Sequence, residues 1–371
     1  MKIALVHDYL IDFGGAERVL VELHKLYPNA PIYVSIYRKN NLGKFGQELS
    51  NTKIIQSWFG YLPFADKLIS PLRFLLPLVW KSFNFSNYDL VITSASWAVT
   101  KGLAHGKTTE ICYLHTPPRY LYGYDTSRNW KGKWFSGLVN MYALIVNHFM
   151  RQYDFNQAQK VNYFIANCKN VGKRIEKFYR RYDYQIVYPP IDLEKFKNRE
   201  PDNLAEKDYY LTGGRMVAAK NFDLIIKACK KLDLKLKIFG DGPSRSHLEG
   251  IGDKKIEFLG QIGDEQLVDL YRNALGFIVA QKDEDFGITP LEAAAAGCPT
   301  ITFKGGGYLE TVIDGKTGIF FSELSVESLT QTLRTFGAVK WNQKILLEHA
   351  RKFSTENFKK QMAIFVNSVT K

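Results

Sequence analysis

Cysteine is scarce in this chain: four among 371 residues, Cys112, Cys168, Cys229 and Cys298, with no pair at CxxC spacing. That excludes a zinc ribbon or a disulfide frame and reads as reduced thiols in a cytoplasmic protein. Long apolar runs are missing as well. The longest candidate, LISPLRFLLPLVW, is broken by Pro71, Arg73 and Pro77, short of the ~20 residues a membrane-crossing helix needs. The amino-terminal MKIALVHDYL turns acidic too soon for a secretory leader. No G-x-G-x-x-G fingerprint is present, and no acid ends the strand-like run APIYVSIY, which disfavours a nicotinamide enzyme. No RNA- or DNA-binding motif stands out, so nucleic acid is not an expected partner.

What is present fits a globular chain of two domains: 46% apolar residues, 23% charged, and a length too great for one ordinary core. Net charge is +13 and uneven. Residues 1–190 hold 24 Lys and Arg against 12 Asp and Glu, whereas the rest is nearly balanced. An anionic partner is therefore expected for the first half: a phosphorylated substrate or an anionic membrane surface. Two aromatic, leucine-rich segments with isolated cations, 58–83 and 132–152, suit such a surface, with Trp58, Phe59, Trp80, Trp134 and Phe135 at the interface. The second also reads as an amphipathic helix buried against its own sheet.

Strand-like and helix-like patterns alternate in both halves. KIALVHDYL, APIYVSIY, DLVITSAS, EICYLH and VNYFIANC are strands of the first; DYYLTGG, KLKIFGDG, IEFLGQI, LGFIVAQ and PTITFKGGG are strands of the second. Such alternation predicts two doubly wound, Rossmann-like α/β domains with parallel sheets, facing each other across a cleft. The prolines of VYPPID mark the boundary, giving domains 1–188 and 189–350 and a terminal helix, 351–371, packing back on the first. Ligands of such sheets gather at the carboxyl ends of the strands.

Several candidates lie at those ends. Gly14 and Gly15 open the first helix, where glycines let a phosphate approach backbone N–H groups, though a plain turn reads equally. His115 ends EICYLH, placed to donate a hydrogen bond or move a proton, or simply to pack. Gly214, Arg215 and Lys220 follow DYYLTGG; a cation pair there can neutralise a diphosphate, and two solvated cations are the plain alternative. Gly240-Asp241-Gly242 reads as a chain reversal. Lys304-Gly305-Gly306-Gly307 ends PTITFKGGG with amides that can line a phosphate or sugar, or with mere flexibility. The densest segment is DEDFGITPLEAAAA, 283–296. It joins carboxylates at Glu284 and Glu292 to a helix start. Thr289, Pro290 and Glu292 also spell a self-contained capping box. Asp283 and Asp285 have the spacing of a metal clasp but sit inside this segment, so no bound metal is expected.

Taken in order, GGAERV (14–19), YLHTPPRYLY (113–122), FIANCKNVGKRIEKFY (164–179), VYPPID (187–192), GGRMVAAKNFDLIIKA (213–228), Glu284-x7-Glu292 and KGGGYLETVIDGKTGIFF (304–321) resemble the retaining, family-4 glycosyltransferases of GT-B fold. The last segment is similar to the version in bacterial GDP-mannose-dependent O-antigen mannosyltransferases. The resemblance implies hexosyl transfer with retention from a nucleotide-sugar, GDP-mannose, to a saccharide acceptor in polysaccharide or O-antigen-type synthesis. It implies no cofactor; attachment to the inner membrane face is expected from the basic first half and the 58–83 segment, and the acceptor is then a lipid-linked saccharide. The resemblance also implies roles: Arg215 and Lys220 for the donor diphosphate with Gly14, Gly15 and Gly214 beside them, Glu284 for the sugar hydroxyls and Glu292 for the ribose. Phe286, Ile288 and the amides near Gly287 and Gly306 complete the donor pocket, while His115 and Arg119 face the acceptor. Asp285 replaces the glycine usual in that family, and Cys168 the serine of its ANS segment. A nucleotide-sugar epimerase of the same plan and a non-catalytic binder of anionic surfaces are the rival classes.

Overall fold

The computed structural model describes residues 1–124, 136–196 and 207–370. Two parallel sheets account for the architecture, each in its own compact unit: residues 1–124, 136–190 and 356–370 in one, 191–196 and 207–355 in the other. The first sheet has seven strands, β1 Ile3–His7, β2 Ile32–Val34, β3 Ile54–Gln56, β4 Leu90–Ala95, β5 Thr109–Leu114, β6 Tyr163–Ala166 and β7 Tyr184–Ile186. The second has six, β8 Tyr209–Gly213, β9 Lys235–Phe239, β10 Ile256–Gly260, β11 Ala274–Val279, β12 Thr300–Phe303 and β13 Gly318–Phe321. All strand pairs are parallel. The central strands are continuous apolar runs because helices cover both of their faces; every residue of β4 is buried.

Spatial order is β3-β2-β1-β4-β5-β6-β7 in the first sheet and β10-β9-β8-β11-β12-β13 in the second. The order reverses between β1 and β4, and again between β8 and β11. At such reversals the flanking crossovers leave in opposite directions and open a crevice at the carboxyl ends of the strands. One of the strands missing from the sequence reading, β3, is a three-residue edge strand too short to show a period, while β7, also three residues and at the other edge, is the strand that the prolines of VYPPID stop.

The helix Thr355–Val369 buries Phe358, Met362 and Val366 in the same core as Leu5, Leu90 and Ile111 of the first sheet. The four cysteines are buried thiols. Burial pushes Cys112, Cys229 and Cys298 up to about 12, so none is a thiolate nucleophile at neutral pH.

The two aromatic segments need correction. Phe59 and Trp80 are core residues, 1% and 2% exposed, and the Trp80 indole N–H donates to the Ala98 carbonyl at 2.7 Å. They sit inside because the 58–81 stretch folds into short helical turns against the first sheet, not into one continuous surface helix. The exposed apolar side chains there are Trp58, Tyr61, Leu62, Phe64, Phe74 and Leu78. The helix Ser136–Lys160 is not buried against its sheet as a whole: Met141, Leu144, Ile145 and Phe149 are exposed along it. Arg73 fastens the two segments by donating to Asn147 Oδ1 at 2.9 Å, and the Tyr142 hydroxyl donates to the Pro71 carbonyl. Trp134 and Phe135 lie outside the described residues. Among those residues no helix is long and apolar enough to cross a membrane.

Candidate functional site

Each reversal point carries a set of polar side chains. In the second unit β8 runs into Gly213-Gly214-Arg215. Gly214 has φ +115°, and a Cβ there would lie 2.8 Å from Lys220 Nζ. The absence of that Cβ lets the lysine fold over the strand end, so Lys220 and the loop carrying Arg215 share one place. Asn221, at φ 52°, reverses the chain into the helix Phe222–Lys231 and donates from Nδ2 to the Ala280 carbonyl at 2.7 Å. That bond fastens the loop after β8 to the chain leaving β11. The Thr212 hydroxyl adds a second tie, to the Ile278 carbonyl at 2.7 Å. The Gly240-Asp241-Gly242 turn is more than a reversal. Cβ atoms at Gly240 and Gly242 would come within 2.1 Å of the Gly214 carbonyl oxygen and 2.5 Å of the Met216 carbonyl oxygen, so this turn buttresses the cation loop.

Downstream of β11, the helix begins earlier than the capping-box reading expects. It spans Ile288–Ala295, with Gly287 at φ 88° as its N-cap and no side-chain cap. Thr289 and Glu292 therefore form no capping box. The tight turn at Gly287 starts the helix two residues sooner and carries Glu292 into the second turn, where it is 9% exposed. The N–H groups of Ile288 and Thr289 have no side-chain cap, which leaves that helix end suited to a phosphate or sugar oxygen. Glu284 accepts from the Tyr308 hydroxyl at 3.4 Å. Phe286 points inward, 3% exposed, its ring 5.7 Å from that of Phe353; any ligand contact from this residue comes through its backbone.

The glycine triplet also reads differently. Gly305 N–H donates to the Phe303 carbonyl at 2.9 Å and Gly307 N–H to the Glu284 carbonyl at 2.8 Å, so two of the three amides serve the backbone. The Gly306 amide is the member outside those bonds. Cβ atoms at Gly306 and Gly307 would meet the Glu284 carbonyl oxygen at 2.5 Å and Phe286 Cα at 2.4 Å. The triplet is glycine because the Glu284–Phe286 backbone lies directly on it.

In the first unit the reversal point gathers side chains that sequence reasoning missed. His7 ends β1 and is 1% exposed; Asp8 follows at 2%. Asp8 accepts from Ser96 N at 3.0 Å, Ser96 Oγ at 2.7 Å, Trp97 N at 2.5 Å and Thr100 Oγ1, pinning the loop after β4. His115, just past β5 and 8% exposed, has its Nε2 2.8 Å from Ser94 Oγ. Ser94 Oγ lies 3.0 Å from His7 Nδ1, and His7 Nε2 lies 3.3 Å from Glu17 Oε1. Glu17 Oε2 accepts the Gly14 N–H at 2.9 Å. A continuous buried chain thus joins Gly14 to His115, and that amide of the Gly14-Gly15 turn is already spent on Glu17. Burial alone lowers the His7 pKa. The Glu17 hydrogen bond and charge, the Asp8 charge and the Ser94 carbonyl outweigh it, so the value lies above 6.5. His7 and Ser94 escaped notice because each sits in an ordinary buried strand; only the parallel register, His7 beside Ser94, brings them together. Arg119 is the first residue of the helical turn Arg119–Tyr122, half-buried. Cys168 caps the helix Lys169–Tyr179, its sulfur accepting from Val171 N at 3.4 Å as a serine oxygen would. Among the described residues no three His, Cys, Asp or Glu side chains are grouped to hold a metal ion.

Comparison with known proteins follows the same division. The family described as Glycosyltransferase Family 4 matches residues 13–195, and that described as Glycosyl transferases group 1 matches residues 194–356. The chain is 26% identical to the Alpha-1,3/1,6-mannosyltransferase ALG2 of Dictyostelium discoideum, over 86% of this chain and 85% of that one. It is also 26% identical to the UDP-N-acetylglucosamine--peptide N-acetylglucosaminyltransferase GtfA subunit of Streptococcus parasanguinis, over 89% of this chain but only 64% of that one. Among solved structures, Anabaena HepE in complex with UDP and glucose superposes with a TM-score of 0.72 at 18% identity, each chain covered in full. The sucrose-phosphate synthase of Thermosynechococcus elongatus superposes at 0.74 and 16%, covering 100% of this chain and 99% of that one. Those likenesses speak for the fold alone. The two family matches run in order along residues 13–356, one on each sheet-bearing unit, and with the two doubly wound sheets they make the chain a glycosyltransferase of GT-B fold.

Proposed function

We propose that this glycosyltransferase moves a hexose with retention, mannose from GDP-mannose, onto a lipid-linked saccharide acceptor in polysaccharide or O-antigen-type synthesis. The observation that carries the donor half is the Lys220 ammonium folded over Gly214 at the β8/β11 reversal, tied through Asn221 to the segment bearing Glu284 and Glu292. As the bond from the anomeric carbon to the diphosphate breaks, negative charge collects on the departing phosphate. Arg215 and Lys220 meet that charge with a fork and a point charge, without a bound metal. Glu284 takes the donor sugar hydroxyls, Glu292 the ribose, and the helix start at Gly287-Ile288 with the Gly306 amide the remaining donor oxygens. In the first unit His115 and Arg119 serve the acceptor, and Gly14-Gly15 the phosphate side. Mannose and GDP are chosen from the likeness to the mannosyltransferase relatives and to the 304–321 segment of such enzymes.

The test is a panel of GDP-, UDP- and dTDP-sugars scored by thermal shift and by acceptor-dependent release of nucleoside diphosphate. GDP-mannose should give the largest shift, and release should need an acceptor. Release at the same rate without acceptor points to the epimerase class. A shift confined to UDP-sugars overturns the donor assignment.

Attachment to the inner membrane face belongs to the same proposal. It rests on the exposed Tyr61, Phe64, Leu144 and Phe149 on two segments fastened together, within the basic half of the chain. The protein should co-sediment with anionic vesicles at low salt, and a Leu144→Ser, Phe149→Ser double variant should release it. Recovery wholly in the supernatant at low salt rules this out.

A further inference from the structure

The chain from Gly14 to His115 contains one hydroxyl between two imidazoles, and a hydroxyl has one proton. Ser94 Oγ lies 3.0 Å from His7 Nδ1 and 2.8 Å from His115 Nε2. It can donate to one ring only, and when it donates to one it accepts from the other. Two neighbours of His7 decide which. The Ser94 carbonyl oxygen, 3.1 Å from His7 Nδ1, can only accept. The Glu17 carboxylate at Nε2 likewise only accepts. Both nitrogens of His7 are therefore called on to carry protons. An imidazolium there donates to Ser94, the serine passes its own proton toward His115 Nε2, and His115, when neutral, carries its hydrogen on Nδ1. Were His7 neutral with its hydrogen on Nε2, its bare Nδ1 would accept from Ser94, and His115 would have to present Nε2–H.

We propose that His7, through Ser94, sets the tautomer of His115, and that Glu17 holds His7 in the state that does so. These three are positioning residues, and the consequence for turnover rests on the reading that His115 faces the reacting sugar. The same Glu17 binds the Gly14 N–H with its second oxygen at 2.9 Å. Movement of the Gly14-Gly15 turn is thereby linked to the proton placement on His115. The charged or titratable groups around His7 are Glu17 from the helix Gly15–Leu26, Asp8 from the end of its own strand and, through Ser94, His115 beyond β5. The acids outweigh burial and hold the imidazolium. With the folded value above the unfolded one, the stabilisation is complete below about pH 6.5 and is lost as pH rises through the folded value.

The experiment uses the full chain labelled with 15N-histidine, its ring signals assigned with His7→Gln and His115→Gln variants. At pH 6.5 and below, His7 should show two protonated nitrogens and His115 a bare Nε2. In wild type, kcat should fall roughly tenfold at little change in donor KM as His7 loses its proton and His115 changes tautomer; in Glu17→Gln, whose amide can donate to Nε2, His7 should be neutral with its hydrogen on Nδ1 and that pH-driven change at His115 should vanish. In Ser94→Ala the His115 tautomer should no longer follow the His7 titration. If a variant does not fold, the wild-type titration decides alone: both rings must change at one pH. A neutral His7 at pH 6.5, or a wild-type His115 tautomer that does not change as His7 loses its proton, overturns the proposal. The spectra need no substrate, so this failure is separable from that of the functional reading, which full activity of His115→Ala would sink while leaving the wild-type spectra untouched.

Discussion

Arg215→Ala should lower turnover by about 10²–10³, the loss expected when one fixed donor to a charge developing in the transition state is removed. Arg215 follows Gly214 directly, and its side chain is exposed, so truncation opens no cavity in the core. The loop that holds it is built from backbone: Gly214 N–H donates to the Phe239 carbonyl at 3.0 Å and Met216 N–H to the Asp241 carbonyl at 2.8 Å. Those bonds survive the substitution, and the melting temperature should stay within a degree or two, since surface changes are usually worth less than ~0.5 kcal/mol. The loss should appear in kcat and kcat/KM together, because the charge is largest after the bond has begun to break. Arg215→Lys should recover part of the rate, keeping the charge without the fork. Steady-state assays with nucleotide-sugar and acceptor measure this, and near-normal turnover of the alanine variant would remove Arg215 from the diphosphate site.

The legible part of the chain was the set of long buried strands and the residues at their ends. β4, β5, β8 and β11 are apolar runs closed by polar or glycine residues, which is what a parallel sheet covered on both faces requires. What escaped were relations between segments distant in sequence. His7 and Ser94 are 87 residues apart and meet only through the β1–β4 register. Asn221 reads as an unremarkable residue before a helix until its amide reaches Ala280. Tyr308 looks like the start of a helix and acts as the partner of Glu284. Local rules failed where two of them competed. Thr289-Pro290-Leu291-Glu292 satisfies a capping pattern, yet Gly287 can adopt a conformation other residues resist, and the earlier start prevails. The aromatic segment 58–83 misled in another way. Its composition suits a surface, but composition does not say which face of each short turn points inward, and Phe59 and Trp80 turn to the core.

Gly307→Ala should destabilise the protein by about 1–3 kcal/mol and reduce turnover more than that loss explains. Backbone conformation is not the cause, since Gly307 sits at φ −66° and ψ −16°, where alanine is comfortable. Contact is. The new Cβ would fall 2.4 Å from Phe286 Cα and 2.5 Å from the Asp285 carbonyl oxygen, and both are backbone atoms that cannot swing aside. One of two chains must shift, either the turn after β12 or the segment from Glu284 to Phe286. Phe286 is anchored in the core against Phe353, so the displacement passes to its less buried neighbours, Glu284 and Asp285. The Gly307 N–H bond to the Glu284 carbonyl stretches with it. Moving Glu284, the carboxylate proposed to hold the donor sugar, by even about 1 Å should cost on the order of 10²-fold in rate. Gly315→Ala is the control. That glycine has φ 68°, in the region alanine resists, but nothing lies within 4 Å of its Cβ position. It should lose stability from backbone strain while keeping its turnover at a temperature where it is folded. Chemical denaturation together with kcat for both variants makes the comparison. If Gly307→Ala loses no more activity than Gly315→Ala, the triplet is not what places Glu284, and the contact between the two loops matters for folding alone.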